Sequence, residues 1–182
     1  MKTASAPAGL DSVIRAQLAD TLGSAAKEAG FSLLKDQLTC DLGNGFTIIA
    51  APIARDEVPT EKELSKGVGL VYAYLAHDEN QKLPPGFYLI RVATNGYNFK
   101  DGAVKISFVD AKGKTAYSLS GQSSQLKKAA RNSTPSAEEF AARSVTHGMI
   151  CGSRKCFKWD RVGLGKWEWG CTDSAGNVLN CV

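Results

Sequence analysis

Two stretches of the chain, Val68 to Ala76 and Phe87 to Thr94, are rich in aliphatic and aromatic residues at odd and even positions alike. A strand that alternates apolar with polar residues needs cover on one face, whereas strands of this kind need it on both. They read as the central strands of a sheet, joined across His77 to Gly86, with other elements laid above and below. Whatever fold the chain takes has to supply that double cover.

Helices supply part of it. Leu10, Ile14, Leu18, Leu22, Ala25, Ala29 and Leu33 recur at helical spacing, with Asp11 or Ser12 placed to cap the start and Gly30 to end the run. This predicts an amphipathic helix of about five turns whose apolar stripe packs on the sheet. Its outward residues, Arg15, Gln17, Asp20, Lys27 and Glu28, are of mixed charge and read as a solvated face. Further on, Thr60 and Glu63 have the spacing of a capping box and Gly67 follows as a terminator, which predicts a short second helix. Thr134 as cap with Pro135 in the first helical position opens another, running to Arg143 and anchored in the core by Phe140.

Further strands flank the central pair. Asn44-Gly45, between Leu38 and Ala50, is a strong hairpin signal. Alternation there puts Leu38, Cys40 and Leu42 on one face, so Cys40 is expected to be a buried reduced thiol outside any disulfide, behaving as a small apolar residue. Val104, Ile106 and Phe108 alternate with Lys105 and Ser107, which predicts a strand with one buried and one wet face. Asp110-Ala111-Lys112-Gly113-Lys114 then has turn chemistry leading into Lys114 to Leu119. From Ser120 to Ser136 the composition becomes polar and reads as a surface connection, with Lys127, Lys128 and Arg131 on a solvated face.

The last segment differs in character, because four of the five cysteines and all three tryptophans fall between Cys151 and Cys181. Phe157 to Arg161 and Lys166 to Trp169 read as the arms of a hairpin around Val162-Gly163-Leu164-Gly165, and Asp173 to Asn177 as the turn of a second one. Register is open between two alternatives. A two-residue loop at Gly163-Leu164 sets Cys156 opposite Cys171, which suits a cross-strand disulfide. A three-residue loop instead sets Trp159 opposite Trp169 and Arg161 opposite Trp167, with Phe157 on the same side, making an aromatic platform edged by a guanidinium.

So small a segment cannot hold itself by apolar burial alone, and pairing of Cys151, Cys156, Cys171 and Cys181 in disulfides is the expectation, without a fixed connectivity. Four thiolates binding zinc is the rival reading, but the spacings lack the C-x2-C knuckle usual in zinc ribbons. The fold class expected is therefore α+β: an N-terminal amphipathic helix packed on an antiparallel sheet of five to seven strands, with a C-terminal disulfide-stapled hairpin module. Residues 1–9 read as disordered or as a leader left after signal cleavage, 10–144 as the helix and sheet domain, and 145–182 as the stapled module packed on it.

Function is less constrained. An apolar content of 43% with 22% charged residues is ordinary globular composition, and a net charge of +4 with scattered basic residues does not mark a nucleic-acid binder. No run approaches the ~20 apolar residues of a membrane-spanning helix. Disulfides imply an oxidising compartment, periplasmic or extracellular. Nucleophile-elbow, phosphate-loop, dinucleotide-binding and H-E-x-x-H motifs are all missing, and no cofactor or metal is implied. His77 reads as an exposed histidine at a strand end, and neither it nor His147 has a catalytic context. The expectation is a non-enzymatic recognition or structural domain. Phe157, Trp159, Arg161, Trp167 and Trp169 are its candidate surface for carbohydrate or peptide, since sugar rings and prolines stack on aromatic faces. Two alternatives stand beside it: an envelope or appendage subunit with another envelope protein as partner, and a small extracytoplasmic hydrolase without a recognisable motif. The layout of helix, antiparallel sheet and disulfide-bounded end resembles that of pilins in the order of its elements, and no pilin motif is present.

Overall fold

The computed structural model describes residues 12–42, 46–56, 59–94, 103–122, 137 and 140, and the backbone of 157–160, 167–172 and 178–180. Six strands form one antiparallel sheet in which every strand pairs with its sequence neighbours. They are β1 (Thr39–Leu42), β2 (Phe46–Pro52), β3 (Val68–Asp78), β4 (Gly86–Thr94), β5 (Ala103–Asp110) and β6 (Thr115–Gln122). The doubly apolar stretches become β3 and β4 and lie in the middle of this meander, as their composition requires.

Each face of β3 feeds a different core. Val71, Ala73 and Leu75 join Ile48, Ala50, Ile90, Val92, Ile106 and Phe108 on one side. The cover there comes from Leu64 of α2 (Glu61–Lys66) and from Ala137 and Phe140, which are in helical conformation. Phe140 stands 6.3 Å from the ring of Phe46 and 6.2 Å from that of Phe108, so it is the core anchor its sequence context suggests. On the other side Tyr72, Ala51 and Ile53 meet Ala19, Leu22 and Ala26 of α1 (Ser12–Glu28).

The ends of α1 and α2 follow from local chemistry. Gly30 takes φ +90°, while its N–H donates to Lys27 and the N–H of Phe31 donates to Ala26. That is the paired bonding of a Schellman stop, with Phe31 and Ala26 both in the core beneath. At α2 the Thr60 side chain accepts from the Glu63 N–H and the Glu63 carboxylate accepts from the Thr60 N–H, completing the capping box. Gly67 at φ +93° ends that helix.

Some expectations are corrected. Ile14, assigned to the buried stripe, is 45% exposed, and Ala29 is exposed as well; the buried line is Ala19, Leu22 and Ala26 because α1 reaches the sheet only over its C-terminal half. Cys40 forms no disulfide but is half-buried, since it lies on the first strand of the sheet where one side is open. Residues Ser120 to Gln122, read as connection, continue β6 instead, because Lys105, Val104 and Ala103 extend β5 far enough to pair with them.

The turns set the registers. Pairing of β1 with β2, such as Leu42 with Thr47, is the register that a two-residue loop at positions 44 and 45 demands; Asn44 and Gly45 themselves lie outside the described residues. Between β5 and β6 the Asp110 carboxylate accepts from the N–H groups of Lys112 and Lys114, both at 2.9 Å, and Gly113 takes φ +78°. At the end of β3 the buried carboxylate of Asp78 accepts three backbone N–H groups, from Asn80, Lys82 and Leu83, at 3.1 to 3.2 Å.

Asp78 therefore organises the whole β3–β4 connection. Replacing it by Ala would leave three backbone donors without their acceptor, that of Leu83 in a buried position. Urea unfolding of Asp78→Ala is expected to show a loss of about 2–4 kcal/mol at an unchanged m-value, and Asp78→Asn, which keeps an acceptor oxygen, a smaller loss.

Candidate functional site

Titratable side chains of the main sheet are occupied with structure. Asp78 and Asp110 hold turns, and Glu63 holds a helix start. His77 is exposed near the end of β3, paired with Thr47. Among the described residues no three of His, Cys, Asp and Glu converge as a metal site would require.

Arginines gather around the start of β3. The guanidinium of Arg55 donates to the Gly69 carbonyl, and that of Arg91 donates to the Gly67 carbonyl at 3.0 Å. Gly69 is the register partner of Arg91, and a side chain there would run into Leu89, at 2.7 Å from its Cδ1. Burial pushes the Arg55 guanidinium below its ordinary pKa, partly offset by the nearby Glu63 carboxylate, and its Nε is buried without a hydrogen-bond partner. Burial likewise raises the phenols of Tyr72, Tyr88 and Tyr117, with smaller contributions from Glu28, Asp110 and Asp78 respectively.

A second sheet is formed by β7 (Phe157–Asp160), β8 (Trp167–Thr172) and β9 (Val178–Asn180), in that order and antiparallel. Both hairpins expected in this segment are thus present. Phe157 pairs with Gly170, Lys158 with Trp169, Trp159 with Glu168 and Asp160 with Trp167. This is the register of the two-residue loop, the alternative that sets position 156 opposite 171. Directly paired positions share a face and neighbours along a strand alternate. Positions 167 and 169 therefore lie on one face with 158 and 160, while 157 and 159 lie on the other with 168 and 170.

The aromatic platform of the three-residue loop is corrected by that pairing. Its four aromatic positions fall in two pairs on opposite faces, because a one-residue slip exchanges every position between faces. Arg161 lies outside the described residues, as do Cys151, Cys156 and Cys181. In β8 and β9, Cys171 pairs with Leu179, on the same face as positions 167 and 169.

One surface was not anticipated. Arg91 and Lys105 are exposed on the α1 side of the sheet, Ser107 and Ser118 beside them share a hydrogen bond of 3.2 Å between hydroxyls, and Ser120 is the partner of Lys105. The wet alternation of Lys105 and Ser107 was visible in the sequence, but their grouping with Arg91 depends on the register of β4 against β5.

No known family model matches the chain, and no significant match is found among curated proteins or solved structures. None of the described helices is long and apolar enough to cross a membrane.

Glu63 provides a direct test of this assignment of carboxylates. The Thr60 backbone N–H, then its hydroxyl, and more weakly the Arg55 charge hold its pKa below the ordinary glutamate range. A depressed folded pKa stabilises the fold above the unfolded value of about 4.3, and that contribution is lost as pH falls through the folded value. A carboxyl-detected NMR titration should place Glu63 below the other glutamates, and Glu63→Gln should remove part of the stability change in that acid window.

Proposed function

We propose that the protein is an extracytoplasmic, non-enzymatic recognition domain whose C-terminal sheet binds carbohydrate or peptide. Trp167 and Trp169 carry the contact in this reading, Lys158 and Asp160 flank them, and Phe157 and Trp159 serve as packing on the reverse face. The observation that supports it is the β7–β8 register, which keeps two tryptophan positions on one face about 7 Å apart along a strand. That spacing offers two stacking surfaces in line to an extended ligand, with charged groups beside them to orient it.

The same register favours one disulfide pairing. Position 156 opposite 171 supports a Cys156–Cys171 bridge, which leaves Cys151 to Cys181. A bridge of this kind contributes roughly 2–4 kcal/mol to so short a module and requires an oxidising compartment, periplasmic or extracellular.

Two measurements test the proposal. Peptide mapping by mass spectrometry of protein from its natural host should recover the Cys156–Cys171 link; thiols at all four positions, or a bound transition metal, contradict it. Titration with oligosaccharide and proline-rich peptide panels should show that Trp167→Ala and Trp169→Ala each weaken binding about tenfold or more, while Trp159→Ala lowers stability and spares affinity. Tryptophan emission that stays blue and resists iodide quenching would contradict the exposure on which this reading depends.

A further inference from the structure

The sheet face that carries α1 is covered unevenly. α1 packs against β2 and β3, and its partners end at Tyr72, Tyr74, Phe87 and Leu89. Beyond Leu89 the same face is polar: Arg91 and Ala93 on β4, Lys105 and Ser107 on β5, Ser118 and Ser120 on β6. These six share the face because their neighbours Ile90, Val92, Val104 and Ile106 are buried in the opposite core. Arg91, Lys105, Ser118 and Ser120 are exposed, and Ser107 and Ala93 half so.

Charge on this face has one sign. Arg91 and Lys105 are diagonal neighbours on adjacent strands, about 7–8 Å apart at the backbone, and none of the six positions is acidic. Arg91 spends one nitrogen on the Gly67 carbonyl, which holds its head toward the start of β3, on the side of β4 away from Lys105, and leaves its other donors to a ligand. The Ser107 and Ser118 hydroxyls form a bonded pair one strand further on. Two cations and three hydroxyls on three adjacent strands make a surface that accepts an extended polar chain lying across the strands.

We propose that this face binds an anionic polysaccharide, with Arg91 and Lys105 pairing with its carboxylate or sulfate groups and Ser107, Ser118 and Ser120 hydrogen-bonding its hydroxyls. Charge complementarity selects a polyanion. The choice of polysaccharide over nucleic acid follows from what the face lacks and how it is shaped. Single strands are held by stacking on aromatic rings, and none of these six residues has one. Duplex grooves are read by protruding helices or ribbons, which the open face of a six-stranded sheet does not offer. This site is separate from the tryptophan positions of the C-terminal sheet and does not depend on them.

The test uses the full chain at low ionic strength with polygalacturonate as the carboxylated probe, heparin as the sulfated one, dextran as the neutral control and oligo(dT) as the nucleic-acid control. Binding to one or both polyanions is expected, weakening about tenfold or more as added salt shortens the screening length; which of them binds identifies the anionic group. Lys105→Gln and Arg91→Gln should each weaken it at least severalfold and together tenfold or more. Lys105→Gln touches no hydrogen bond described above, so it separates loss of binding from loss of fold. Trp167→Ala should leave this binding unchanged while weakening the C-terminal contact about tenfold or more, so either site can fail alone. Equal binding of dextran, oligo(dT) binding as tight as that of the polyanions, no binding to either polyanion, or full affinity in Lys105→Gln would overturn the proposal.

Discussion

The fold rests on the need to cover the apolar middle of the sheet on both faces. Leu70, Ala73, Leu75, Ile90 and Val92 are all but inaccessible in one core and Tyr72 is buried in the other, and each fully buried aliphatic side chain contributes about 1.5–3 kcal/mol relative to exposure. That gain exists only if the sheet is covered above and below. On one face the cover is broad, from α2 and from Phe140 and Ala137. On the other, among the described residues, it is α1 with Phe31, Leu33 and Leu38 beside it. A helix with its side chains is about 10 Å wide, whereas six strands about 4.8 Å apart span some 24 Å between the outermost axes. One helix therefore covers about two strands, and the sequence of β5 and β6 turns polar on the side that α1 does not reach.

Carboxylates in this sheet are matched to backbone donors. Asp78 takes three N–H groups and Asp110 two, while Glu63 closes a capping box. A carboxylate held this way has its lone pairs committed and its geometry fixed, which suits a turn and not proton transfer. The arginines behave differently. Arg55 and Arg91 each reach a carbonyl at the start of β3, those of Gly69 and Gly67 respectively. Asp78 and Asp110 are thus spent on turns and Glu63 on a helix start, while Arg91 stays at the surface and Arg55 is drawn inward.

Much of this architecture was legible in the residues because the signals were local. Gly30, the Thr60–Glu63 pair, Gly67 and the Asp110–Gly113 turn each carry their structural reason within five residues. Binary pattern identified β3, β4 and β5 for the same reason. What it missed depended on distant partners. Ile14 has the spacing of a core residue, but the sheet ends before α1 does. Cys40 has the alternation of a buried residue, but its strand is the sheet's first and has one neighbour. Arg91, Lys105 and Ser118 are ordinary surface residues in sequence, and only the strand registers make them a group.

Register governs the C-terminal sheet with still greater force. Residue composition there is compatible with either hairpin loop, and the two differ by a single position, yet that step turns every side chain of one strand to the reverse face relative to its partner. With Lys158 opposite Trp169 and Asp160 opposite Trp167, the ribbon has a face bearing two tryptophan positions flanked by a cation and an anion. Cys171 and Leu179 extend the same face. The tryptophans and the cysteine are therefore coupled through backbone pairing: a loop longer by one residue would part positions 156 and 171 and redistribute the rings together. A bridge between those positions would hold the register by which positions 167 and 169 share a face, so on the reading proposed above it would act on recognition as well as on stability.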